Sequence, residues 1–381
     1  MARLVMGMLL MLDVPKLASH DGWYFRHGGD ASLYVELGIA IDSGHPKPTT
    51  VGAGLPLLIA LIHRLAGGET YYDFLPYLVP LNGFLLAGAS VWIVGQTALY
   101  LSGSCRQALL AAAVWIFLGY ALWLGLGLHW DAENLRDAHL SRQMWMNGIT
   151  DPPSLFLAML GLMLTVRAYS ASGNRALMTY AFAGAAFGLG CAFRIHTAAI
   201  AAAAFAALLW NRRWSGLAFL AAGFVVGFSP QLWHNAVTSP SIINTPYLSG
   251  WLGFSADGRF YFRWNVMPIS PGFFRDSIAV LTRGNWLVAI VELALLLSVA
   301  YAFARCWRHR GSFAALVMFG APAASLALHV TTFVFAGDPI RFSLPAISVG
   351  LPAAVWAADS ALELARILMG RFQLRFARAE S

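Results

Sequence analysis

The chain has 381 residues, 59% of them hydrophobic and 11% charged, with a net charge of +7. A mean hydropathy of +0.63 implies more apolar surface than a soluble domain of this length can hide, so lipid is the expected solvent for much of it. The cations are scattered, with no basic stripe, which argues against nucleic-acid binding and for membrane topology.

The first apolar run, Leu4 to Leu12, is short against the roughly 20 residues a span needs and is read as a weak first span, not a signal peptide. A polar, glycine-rich segment, 15–73, follows it. Within this segment "SLYVELGIAIDS" at 32–43 predicts a helix capped by Asp30 and Ser32. The next run, "VGAGLPLLIALIHRLA" at 51–66, predicts a helix lying at the interface, with spanning as the alternative. Apolar runs near 74–101, 107–127, 152–166, 177–193, 195–210, 215–233, 286–304, 312–335 and 341–358 bring the expected total to about ten spanning helices, an all-α polytopic membrane protein. Residues 1–358 read as one transmembrane domain and 359–381 as a basic cytoplasmic tail.

Short basic turns ("CRQ" at 105–107, "NRRW" at 211–214, "RCWRHR" at 305–310) share one side with the tail, which the positive-inside rule makes cytoplasmic. The long segments 15–73, 128–151 and 234–285 then face out, as do the break "FRIHT" at 193–197 and "AGDPIR" at 336–341. Chemistry is therefore expected on the outer face. Cys105, Cys191 and Cys306 fit neither a disulfide framework nor a zinc site.

Two carboxylates, Asp30 in "GGDASLY" and Asp151 in "TDPPSLFLAMLGLML", stand at the outer ends of helices. By composition alone each reads as a helix cap; converging, they could hold a metal or act as a base. Arg194 and His196 interrupt what would otherwise be one apolar hairpin, and Arg341 begins the last span. Such arginines can snorkel to headgroups or form a fixed positive pocket for a phosphate, with Lys47 in "HPKP" as a third candidate. The segment 129–143, with His129, Asp131, Glu133, Asp137 and His139, matches no defined zinc spacing and reads as a solvated loop helix. The aromatic and Arg-rich loop 234–285 reads as an interfacial belt or a surface for sugar or lipid. Glu292 stands out as an intramembrane acid.

"GGDASLYVELGIAIDSGHPKP" resembles the first outer loop of GT-C membrane glycosyltransferases, in particular the protein mannosyltransferase-like and lipid A aminoarabinose transferase-like families. The matching positions are Gly29, Asp30, Tyr34, Gly44, Pro46 and Pro48. "LPLLIALIHRLAG", "TDPPSLFLAMLGLML", "GLGCAFRIHTAAIAA", "FSPQLWHNAVTSPSIINTPY" and "IRFSLPAISVGLPAA" are similar to later family motifs in the family's order. Ala31 stands where many members carry a second acid, leaving Asp30 alone at that position.

The resemblance implies a GT-C-like fold with interfacial helices in its first loop. It implies an inverting glycosyltransferase that takes a sugar from a polyprenyl-phosphate donor. The acceptor would be a lipid or polysaccharide at the outer face of a bacterial inner membrane. Asp30 would be the general base and Asp151 would position the acceptor or a divalent metal. Arg194, Arg341 and Lys47 would bind the donor phosphate; Tyr34, His196 and His139 would contact substrate. The alternatives are a transporter or flippase of lipid-linked sugars, which would need charges within the spans and inverted repeats, or a non-catalytic membrane subunit.

Overall fold

In lipid no water satisfies the backbone, so an apolar run closes its hydrogen bonds within itself as a helix. The computed structural model describes residues 29–48, 52–127, 150–239, 242, 252–254, 260–262, 275, 278–279, 286–309, 311–332 and 339–379. Two short helices come first, α1 (Gly29–Asp42) and α2 (Gly54–Ala66). The nine long apolar runs then appear as α3 (Tyr71–Ser102), α4 (Cys105–Gly127), α5 (Asp151–Tyr169), α6 (Gly173–Phe193), α7 (Thr197–Trp210), α8 (Trp214–Thr238), α9 (Trp286–His309), α10 (Ser312–Thr332) and α11 (Pro339–Ala379). One antiparallel ribbon interrupts this all-α order: β1 (Leu252–Phe254) pairs with β2 (Phe260–Phe262), Gly253 opposite Tyr261, within the aromatic loop.

Among the described residues five helices are long and apolar enough to cross a membrane: α3, α5, α6, α8 and the Ser343–Ile367 stretch of α11. The expected total of about ten spans is thus met by five. The 14 residues of α7 rise only about 21 Å, less than the roughly 30 Å of hydrocarbon. The 13 residues of α2 are likewise too few, which leaves the interfacial reading of that helix. The last helix does not stop at 358; α11 carries the basic tail to Ala379. The first apolar run and residues 128–149 lie outside the described residues.

The bundle is built around α6, which packs on α5 and α8, while α7 packs on α10 and α11 packs on α9 and α10. The α6–α8 contact is a glycine seam. A Cβ on Gly184 or Gly188 would stand 2.0 or 2.1 Å from the carbonyl oxygens of Leu220 and Phe224. On the facing helix, a Cβ on Gly223 or Gly227 would stand 1.9 or 2.0 Å from those of Ala181 and Ala185. Two glycines four residues apart on each of two parallel helices let the backbones touch, where helices in lipid gain from close dispersion contact.

A second hydrophobic cluster, including Leu37, Leu55, Ile59, Phe74 and Phe193, fastens the α1–α2 layer to the bundle. Polar contacts fix its position. The Ala53 amide donates to Gln231 Oε1 at 2.8 Å, Gln231 Nε2 donates to Asn235 Oδ1 at 2.9 Å, and Asn235 Nδ2 donates to the Ile242 carbonyl at 2.8 Å. Asp42, the last residue of α1, accepts from both His63 Nδ1 at 2.6 Å and Arg64 Nε at 2.8 Å on α2. The His63 hydrogen bond first, then Arg64, holds the Asp42 carboxyl below its ordinary value.

Candidate functional site

The helix α5 begins on Asp151, and the two prolines after it fall in the first turn, where a missing N–H costs nothing. Asp151 is therefore not a flanking cap but the first helical residue, its carboxylate near the positive end of the helix dipole. Across from it, α6 ends at Phe193 and Arg194 turns extended (φ −152°, ψ 113°) before α7 starts at Thr197. That break delivers the guanidinium to the Asp151 carboxylate, and the two form an ion pair.

The pair is buried: side-chain exposure is 13% for Arg194 and 6% for Asp151. Arg194 Nε also donates to His196 Nδ1 at 3.3 Å, and His196 is itself buried. One turn further into the bundle, the Ser154 and Thr197 hydroxyls share a 2.7 Å hydrogen bond that ties α5 to α7. These residues, with Pro345 of α11, enclose a cavity of about 20 Å³, room for about one water.

The other expected residues fall at different distances from this pair. Tyr34 is buried, and its hydroxyl lies 3.4 Å from Thr150 Oγ1, beside Asp151. Asp30 sits in the first turn of α1, since the helix begins at Gly29 and not after the expected cap. It precedes Tyr34 by four residues along the helix. Arg341, the third residue of α11, likewise precedes Pro345 by one turn. Lys47 is not part of this constellation: its Nζ lies 2.6 Å from Glu36 Oε1, both exposed, beside a separate cleft. His139 lies outside the described residues.

Among the described residues no three His, Cys, Asp or Glu side chains group together, and the Asp151 carboxylate is engaged by a guanidinium.

Several supporting residues escaped the sequence reading. Ser154 and Thr197 sit in apolar runs where a hydroxyl is unremarked, although Ser154 follows Asp151 by three residues on one helix face. Gln231 and Asn235 are buried and hold the α1–α2 layer. Glu292, recognised as an intramembrane acid, accepts from the Ser343 hydroxyl of α11, two residues from Arg341.

No family model matches the chain, and no curated protein matches it in sequence. In three dimensions it is similar to the crystal structure of the Archaeoglobus fulgidus oligosaccharyltransferase in the apo form. That match has a TM-score of 0.57 and 14% identity, and covers 97% of this chain and 52% of that one. It is also aligned with the archaeal oligosaccharyltransferase AglB from Archaeoglobus fulgidus in complex with an inhibitory peptide and a dolichol-phosphate. There the identity is again 14%, with 97% of this chain and 51% of that one covered and a TM-score of 0.47. At this identity the likeness shows the fold alone, and the chain spans about half the length of the solved chains it matches. With its apolar helices, the chain is a multi-pass membrane protein.

Proposed function

We propose that the protein is an inverting membrane glycosyltransferase that moves a sugar from a polyprenyl-phosphate donor to a lipid or polysaccharide acceptor at the outer face of a bacterial inner membrane. The observation that carries this reading is the buried Asp151–Arg194 pair, formed where two helices end and the α1 layer docks. A buried ion pair is costly to maintain for stability alone, and within a membrane bundle it is a functional-site hypothesis by default.

The acceptor hydroxyl oxygen attacks the anomeric carbon, and its proton passes to the Asp30 carboxylate. The bond from that carbon to the phosphate oxygen breaks, and the polyprenyl phosphate leaves with the electron pair. Arg194 and Arg341 stabilise the charge growing on the departing phosphate, the kind of preorganised electrostatic help that contributes most to such steps. In the resting protein Asp151 occupies Arg194, so the incoming phosphate exchanges with Asp151 for the guanidinium. Asp151, released, orients the acceptor; Tyr34 and His196 support the two groups from behind. Lys47, neutralised by Glu36, has no part in it.

The test is transfer from a synthetic polyprenyl-phosphate sugar by the purified protein, with mass spectrometry of envelope glycolipids and polysaccharides from cells with and without it. Asp30→Asn, normally expressed and folded, is expected to lose transfer by about 100-fold or more, the usual weight of a general base. Full activity in that variant would remove Asp30 from the reaction.

A further inference from the structure

On the face of α1 turned away from Tyr34 lies an open cleft of about 630 Å³, well within the range of small-ligand sites. Its floor is apolar, from Val35, Ile39 and Ala40 of α1 and Tyr71 of α3. Its rim is polar: Ser32, Glu36, His45, Lys47, Glu69 and Thr70. We infer that this cleft binds an uncharged glycan unit, separately from the Asp151–Arg194 site and beyond the transfer reading above.

The argument is one of charge and shape. Two carboxylates, Glu36 and Glu69, face one ammonium, Lys47, and Lys47 already pairs with Glu36 at 2.6 Å. The carboxylates thus outnumber the ammonium on the rim, which disfavours a phosphate or an acidic sugar. A carboxylate accepts and cannot donate, so two of them suit a ligand rich in hydroxyl donors. A pyranose or furanose ring has such an edge and also an apolar C–H face, which matches the Val35–Ile39–Ala40 floor. The rim residues stay exposed while the floor is buried or half-buried, so the ligand's edge meets polar groups and its face meets hydrocarbon. The turn supplying His45 and Lys47 is anchored a few residues later by the Ala53 to Gln231 hydrogen bond, so the cleft has a fixed wall.

The experiment is ligand-detected saturation-transfer NMR on the full chain in detergent micelles. The probes are uncharged methyl pentosides, methyl hexosides and their disaccharides, with inorganic phosphate as the anionic comparison. Binding of at least one uncharged glycoside is expected, with its ring C–H protons receiving the strongest transfer. Glu36→Gln and Glu69→Gln are each expected to weaken it about tenfold, the effect of losing one charge-assisted hydrogen bond. Asp30→Asn is expected to bind as the wild type does, even where transfer is lost, so the cleft and the reaction stand or fall separately. Tighter binding of phosphate than of any glycoside, no glycoside binding in a folded protein, or glycoside affinity unchanged in both glutamine variants would overturn the inference. Thermal unfolding of each variant guards against a loss of fold, and a mild Ile39→Val change, expected to retain binding, serves as a second check on the apolar floor.

Discussion

Asp151 and Arg194 illustrate how an ion pair in a low-dielectric setting differs from one in water. Each charge is tolerable there only because the other is present, so removing one leaves an uncompensated group. Arg194→Ala is expected to destabilise the folded protein by about 3–5 kcal/mol, read by thermal unfolding in micelles. The double variant Asp151→Asn with Arg194→Gln should regain a large part of that loss while staying inactive. Equal destabilisation in the single and double variants would show that the two side chains are not coupled. Asp42 offers a contrast at a half-buried contact between the two short helices. Its folded carboxyl titrates below the ordinary value of 3.8 because His63 and then Arg64 favour the ionised form. The clasp therefore contributes fully above that value and is lost as pH falls through the lower folded value. Acidification below about pH 4 should loosen α1 from α2, seen as faster amide exchange in α1, and Asp42→Asn should abolish that acid step.

The helices themselves were the part most open to reading from sequence, because in lipid an apolar run has no alternative to a helix. The break at Arg194 was legible for the same reason: a charged residue and a histidine inside an apolar stretch must mark an end or a functional contact. What could not be read was any contact that depends on two helices meeting. The Ser154–Thr197 hydrogen bond and the Asp42 clasp join residues 43 and about 21 positions apart, and no local pattern announces either. Amphipathicity gave little help, since helices surrounded by lipid or by other helices are apolar on every side. The glycine seam is intermediate: "GAAFG" at 184–188 and "GFVVG" at 223–227 carry the small-residue spacing, but which helix each faces is a fact of packing. Gly223→Ala should cost about 1–3 kcal/mol or more, because its Cβ would press on the Ala181 carbonyl. A Cβ on Gly88 meets nothing within 4 Å, so Gly88→Ala should be neutral or stabilising by about 0.5–1 kcal/mol. Unfolding of both proteins under the same detergent conditions compares them directly.

Among the described residues the buried Asp151–Arg194 pair stands where helices begin and end, while Asn82, Ser90, Thr97, Ser325 and Ser348, buried polar groups within helices, are uncharged. Glu292, which accepts from the Ser343 hydroxyl, is a further buried acid among the described residues. The size of the Asp151–Arg194 cavity then dictates how anything larger than a water could enter. Of the walls around it, α5 is tied to α7 by hydroxyls. Another described wall, α11, carries Pro345 and Pro352 within its length, each lacking an N–H and so marking a place where a helix bends readily. Because Pro345 also lines the cavity, a bend of α11 at that position would widen the space beside Asp151 and Arg194.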